Sequence, residues 1–117
     1  MKKLNSVTGK YGEAVAAELL TTKGYTIIER NWRNKFGEID IIAKKNGVLV
    51  FVEVKTKVGE LFGTPEEMVG SKKLNKVRHM ATIYMNGVEV PCRIDVVAII
   101  LGDDNAVLRV NHYENVY

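Results

Sequence analysis

The stretch that decides the fold is GEIDIIAKKNGVLVFVEVKTK, Gly37 to Lys57. Two runs rich in β-branched residues, Ile39 to Ala43 and Val48 to Val54, lie on either side of Asn46-Gly47. Both central positions of a two-residue type I′ turn need positive φ, which Asn and Gly adopt most readily. The dipeptide therefore predicts a tight hairpin in which Lys45 pairs with Val48. Counting outward sets Ala43 opposite Val50, Ile41 opposite Val52, Asp40 opposite Glu53 and Glu38 opposite Lys55. Opposed residues share a face, and successive residues alternate. Ile39, Ile41, Val52 and Val54 are thus expected on a core face. Glu38, Asp40, Glu53 and Lys55 project from the other face, which starts apolar at Ile42 and Phe51 and becomes charged at its far end.

Like charges opposed across a strand pair destabilise it. If they are partly buried, one carboxylate must take a proton or both must share a cation. A divalent ion resolves the conflict, and hard oxygen ligands suit Mg2+ or Mn2+. Lys55, on the same face, can orient a water or stabilise charge developing on a phosphate. The same spacing also fits a solvated sheet end with Glu38 simply paired to Lys55, so spacing alone leaves both readings open. Glu13 bears on the choice. In the first helix Gly9, Glu13, Ala16, Ala17 and Leu20 recur on one stripe, with Lys10, Glu18, Thr21 and Thr22 opposite. Glu13 on the packed side is either a third acid for the pocket or a first-turn glutamate favoured by the helix dipole.

Outward from this hairpin, Val7 to Lys23 reads as a helix stopped by Gly24, and Tyr25 to Trp32 as a strand. Leu61 to Thr64 reads as a loop. Pro65 opens a second helix that runs to about Met85 and stops at Asn86-Gly87. Arg93 to Leu101 and Val107 to His112 read as the last two strands. Short turns imply antiparallel neighbours, and the helix between the third and fourth strands allows a parallel crossover. The expected fold is a single α/β domain over residues 1–117, a mixed central sheet flanked by helices in the order α-β-β-β-α-β-β.

The 117 residues are 46% hydrophobic and 26% charged, as in ordinary globular proteins, and the net charge of +3 permits nucleic-acid binding without demanding it. No run approaches the roughly 18 apolar residues of a membrane helix, and no signal-like apolar stretch follows Met1 to Asn5, so no membrane association and a cytoplasmic location are expected. Cys92, the one cysteine, excludes an internal disulfide and a zinc cysteine cluster, and is expected as a small core residue. Lys57 shares the face of Lys55 and is a candidate contact for nucleic-acid phosphate. Lys72, Lys73, Lys76 and Arg78 cluster on the second helix, as a solvated face or as a patch that tracks a nucleic-acid backbone, with Lys72 or Lys73 leaning toward the acids. Tyr25 and Trp32 read as core, His79 and His112 as surface or structural residues, and Asp95 as an ion-pair partner of Arg93.

The combination of Gly12-Glu13 in an alanine-rich helix, Gly24-Tyr25, Asn31, GEIDIIA and FVEVKTK resembles the YraN-like bacterial family, which is related to archaeal Holliday-junction resolvases. Phe62-Gly63-Thr64-Pro65, Ser71-Lys72-Lys73, Ala81 and Arg93-Ile94-Asp95-Val96-Val97 extend the match over nearly the whole chain. The resemblance implies a restriction-endonuclease-like fold with a PD-(D/E)xK site. By position, Asp40 and Glu53 would bind metal, Lys55 would be the motif lysine and Glu13 the acid from the helix. Ile39 stands where the motif has Pro. The implied activity is metal-dependent hydrolysis of phosphodiester bonds in DNA, including branched DNA, for which two cuts would favour a homodimer. The rival reading is a nucleic-acid-binding module of the same fold that does not cut.

Overall fold

The computed structural model describes residues 6–59 and 65–116. Among them, helix α1 spans Ser6–Thr22, and strands β1, β2 and β3 span Thr26–Asn34, Gly37–Lys45 and Val48–Val58. Helices α2 (Pro65–Val69) and α3 (Ser71–Met85) follow, then β4 (Cys92–Leu101) and β5 (Val107–Tyr113). The strands form one sheet in the order β1-β2-β3-β4-β5, antiparallel throughout except for the parallel β3–β4 pair. This is the expected mixed α/β arrangement, and it is compatible with a restriction-endonuclease-like fold. The expected loop at Leu61 to Thr64 lies outside the described residues.

The local signals operate as their chemistry requires. Asn46 and Gly47 take φ of 52° and 79°, and Lys45 pairs with Val48. Gly24 at φ 91° lets the chain reverse after α1, where the Tyr25 amide donates back to the Leu20 carbonyl at 2.9 Å. Asn86 closes α3 in the left-handed region. The single helix expected from Pro65 is instead broken in two at Gly70, whose φ of 96° a helix cannot accommodate.

The sheet separates two apolar layers. Ala16, Ala17 and Leu20 of α1 pack on Ile41, Ala43, Val50, Val52, Val97 and Ile99. On the other face Leu74, Val77, Met80 and Ala81 of α3 pack on Ile39, Ile42, Phe51 and Val96. No helix among the described residues is long and apolar enough to cross a membrane.

Four expectations need correction. The β2–β3 ladder ends at Ile41 opposite Val52, so neither Asp40–Glu53 nor Glu38–Lys55 is a ladder pair. Glu38 lies 3.8 Å from Arg33, its partner on β1, instead of pairing with Lys55. Ile39 packs with Ile42 on the α3 side rather than with Ile41. Simple alternation fails there, where the β2–β3 ladder ends. Cys92 is exposed, not a core residue, because it is the first residue of β4, just after exposed Pro91.

Candidate functional site

β2 and β3 part just beyond Ile41 and Val52, and the opening is held by a side chain. The Val54 amide donates to Asp40 Oδ2 at 2.8 Å, so a carboxylate oxygen takes the place of a ladder carbonyl. Asp40 thereby becomes the meeting point of two acidic groupings.

The first grouping is Asp40 with Glu53. The charge of Asp40 bears directly on the Glu53 carboxyl. Glu53 is only 7% exposed. Its Oε1 lies 3.6 Å from Lys73 Nζ on α3, while its buried Oε2 has no hydrogen-bond partner among the described residues. Burial, then the charge of Asp40, pushes the Glu53 carboxyl up to about 8 against the pull of Lys73. Asp40 is also raised, mainly by burial, with the Val54 amide opposing and Glu38 adding to the effect.

The second grouping is Glu13, Glu38 and Asp40, each offering a carboxylate oxygen within 4.8 Å of the others. Asn31 ties two of them together. With its amide nitrogen turned toward the acids, it donates to Glu13 at 2.8 Å and to Glu38 at 2.7 Å. The left-handed backbone of Asn31, which Asn tolerates better than most residues, supports this placement. Burial first, and then Asp40 and Glu38, raise Glu13, with the Asn31 hydrogen bond opposing. Glu13 comes close to the strands because the preceding residue is Gly12, where a Cβ would run into Thr56 Oγ1 on β3.

A cleft of about 270 Å³ opens here, lined by Gly9, Glu13, Glu53, Val54, Lys55, Thr56, Val69 and Lys73. Four expected site residues, Glu13, Asp40, Glu53 and Lys55, therefore converge on one region, with Lys55 exposed at its wall. Of the two helix lysines expected to lean inward, Lys73 does so. Lys72 and Lys76 are exposed on α3, and half-buried Lys57 lies outside the lining. The sequence pattern gives Asn31 no role and sets Glu38 opposite Lys55. An asparagine inside a strand, a residue that favours turns, was the available signal for the first.

Asp95 does form the expected ion pair with Arg93, at 3.0 Å, as part of a larger, partly buried network. His112 lies 2.8 Å from it and the Asn115 amide 2.9 Å. Arg93 also reaches Glu114 at 2.9 Å and the Tyr25 hydroxyl. Burial alone would raise Asp95, but the hydrogen bonds from His112, Arg93 and the Asn115 amide together hold it below its ordinary range. The network ties the C-terminal segment to the sheet.

Fold and site together define a class, a small mixed α/β protein with an acidic cleft where two central strands diverge. Residues 12–99 match the model of Uncharacterised protein family UPF0102, and the chain belongs to that family, the YraN-like one. A UPF0102 protein of Symbiobacterium thermophilum is 46% identical over 112 residues, 93% of this chain and 94% of that one. Those of Dictyoglomus turgidum and Thermodesulfovibrio yellowstonii are 39% and 42% identical. Their alignments cover 97% and 93% of this chain, and 98% and 94% of theirs.

Proposed function

We propose that this protein is a divalent-metal-dependent nuclease that hydrolyses phosphodiester bonds in DNA, branched DNA included. The observation that carries the reading is the Glu53 carboxyl. It is buried against a second acid, with one oxygen unpartnered among the described residues, an arrangement that is costly unless a cation completes it. The donor set is all oxygen, which fits Mg2+ or Mn2+ better than a thiophilic metal. Asp40 and Glu53 would hold the ion, with Glu13 as a third acid. When bound, such an ion polarises a phosphoryl oxygen and lowers the pKa of a coordinated water.

The chain's own groups prepare the rest. The Val54 amide fixes the orientation of Asp40. The Asn31 amide anchors Glu13 and Glu38, so that the acids do not spring apart. Lys55, exposed at the cleft wall, would neutralise charge on the scissile phosphate or position the attacking water. Lys73 partly balances Glu53 before metal enters.

The test is cleavage of duplex, single-stranded and branched DNA, with and without Mg2+ or Mn2+, by the natural protein and by Asp40→Ala and Glu53→Ala. Metal-dependent cutting that both variants lose is the expected result. The Lys73–Glu53 ion pair favours a second reading, a DNA-binding module in which Lys73 stands in for the metal. Shifted but uncut DNA, unaffected by Asp40→Ala, would establish that reading in place of the first.

A further inference from the structure

The hairpin that joins β1 to β2 carries an aromatic ring out into solvent. Phe36 is 50% exposed although it is among the most apolar residues of the chain. Its turn is held by its own amide, which donates to Asn34 Oδ1 at 2.7 Å. Gly37 follows with φ 155°, a conformation that side-chain-bearing residues rarely adopt. The ring is therefore presented from a fixed turn.

Its surroundings are cationic. Lys35 Nζ lies 5.1 Å from the ring centroid. His79 of α3 meets the ring edge-on at 6.2 Å. The Lys76 stem crosses the hairpin tip in the space that a side chain on Gly37 would need. Arg33 sits on the adjacent strand end, beside Glu38. An exposed aromatic amid positive groups suits a ligand with both flat faces and negative charge. Single-stranded nucleic acid has both, and stacking on an aromatic tolerates any base.

The tip also lies near the acidic cleft by two routes. Phe36, one residue before β2, is two residues from Glu38, at most about 7 Å along the chain, and Glu38 belongs to the acidic grouping. Along α3, Lys73 reaches Glu53 while Lys76, about one helical turn on, reaches the hairpin tip. A phosphate backbone running along these lysines would bring an unpaired base to Phe36 as the neighbouring linkage approached the cleft.

We propose that Phe36 is a base-stacking wedge that selects DNA containing an unpaired base, such as a branch point or a single-strand overhang, next to the acidic cleft. The proposal deepens the nuclease reading and rests on DNA being the ligand, not on cleavage.

The test uses two DNAs free of divalent metal, a continuous duplex and a duplex with a single-strand overhang. Each carries 2-aminopurine, at the first unpaired position in the overhang substrate. Anisotropy gives affinity, and 2-aminopurine emission reports stacking. Phe36→Ala is expected to weaken overhang binding by about 5- to 100-fold, to leave duplex binding within about twofold, and to abolish the emission change. Phe36→Trp should retain all three behaviours. Phe36→Leu keeps apolar contact with His79 but lacks an aromatic face, and should behave as Phe36→Ala. Lys76→Ala should weaken both DNAs alike and flatten the salt dependence. Equal losses on both DNAs for Phe36→Ala, no loss on either, an unchanged emission response, or no DNA binding by the natural protein would each overturn the proposal. If the stacking pattern holds but no substrate is cut with metal, the nuclease reading fails and the wedge stands. If cutting occurs but Phe36→Ala changes nothing, the wedge alone fails.

Discussion

Replacing Glu53 by Gln should make the metal-free protein more stable, and increasingly so as pH rises. In the fold this carboxyl is displaced from its ordinary 4.5 to about 8, chiefly by burial and secondarily by Asp40. The protonated form is therefore the one the fold favours. Its stabilising contribution is complete below 4.5 and is lost as pH rises through about 8. Taken to its limit, that displacement is worth roughly 5 kcal/mol above pH 8, about 3 kcal/mol at pH 7 and under about 1 kcal/mol at pH 5. Gln is neutral and nearly isosteric, and its amide can donate to Asp40, so it escapes most of this loss. The forfeited ion pair with half-exposed Lys73 is worth at most about 1 kcal/mol. The net expectation at pH 7 is a gain of about 2–3 kcal/mol, or a rise in Tm of about 10 °C for a domain of this size. Urea unfolding with a chelator present, followed through partly buried Trp32, measures this at pH 5, 7 and 9. Saturating Mg2+ should then close the gap, because metal at 100 times its Kd adds about 2.7 kcal/mol to the natural protein alone. A Glu53→Gln protein no more stable than the natural one at pH 9 would refute the reasoning, since it would mean that the carboxylate is not strained.

Three further outcomes are expected. At the proposed metal site, Lys73→Met removes the cation that would compete with metal at Glu53, so isothermal titration should show Mn2+ binding about 2- to 5-fold tighter, the range that an exposed ion pair commands. Gly12→Ala drives a methyl into Thr56, which is 5% exposed, and should cost about 1–3 kcal/mol in urea unfolding. Adding Thr56→Ala makes room and should restore part of that loss. Asp95→Asn removes the charge that holds Arg93 and His112 at a fully buried position, while Arg93 keeps Glu114, and should destabilise by about 1–3 kcal/mol near neutral pH. The deficit should shrink as pH falls through the lowered value of Asp95, where the natural protein also loses the charge.

The sequence by itself determined whatever rests on neighbours along the chain. Asn46-Gly47 set the hairpin because few other residues take positive φ twice in succession. That turn brought Asp40 and Glu53 to the same end of the pair, and the α1 stripe put Glu13 on the packing side. The helix between β3 and β4 allowed the parallel crossover that the structure shows. Only the tertiary structure decided where the ladder stops. Counting a register outward assumes that strands stay paired, whereas Asp40 takes the Val54 amide and the pairing ends at Ile41 and Val52. From that opening follow the switch of Ile39 to the α3 layer, the release of Glu38 from Lys55 and the gathering of Glu13, Glu38 and Asp40 around Asn31. The choice of Lys73 over Lys72 likewise depends on how α3 is rotated against the sheet, through Leu74, Val77 and Met80. A local pattern records which residues share a face. It does not record which atoms, distant in sequence, compete for the same hydrogen bond, and that competition shapes the cleft.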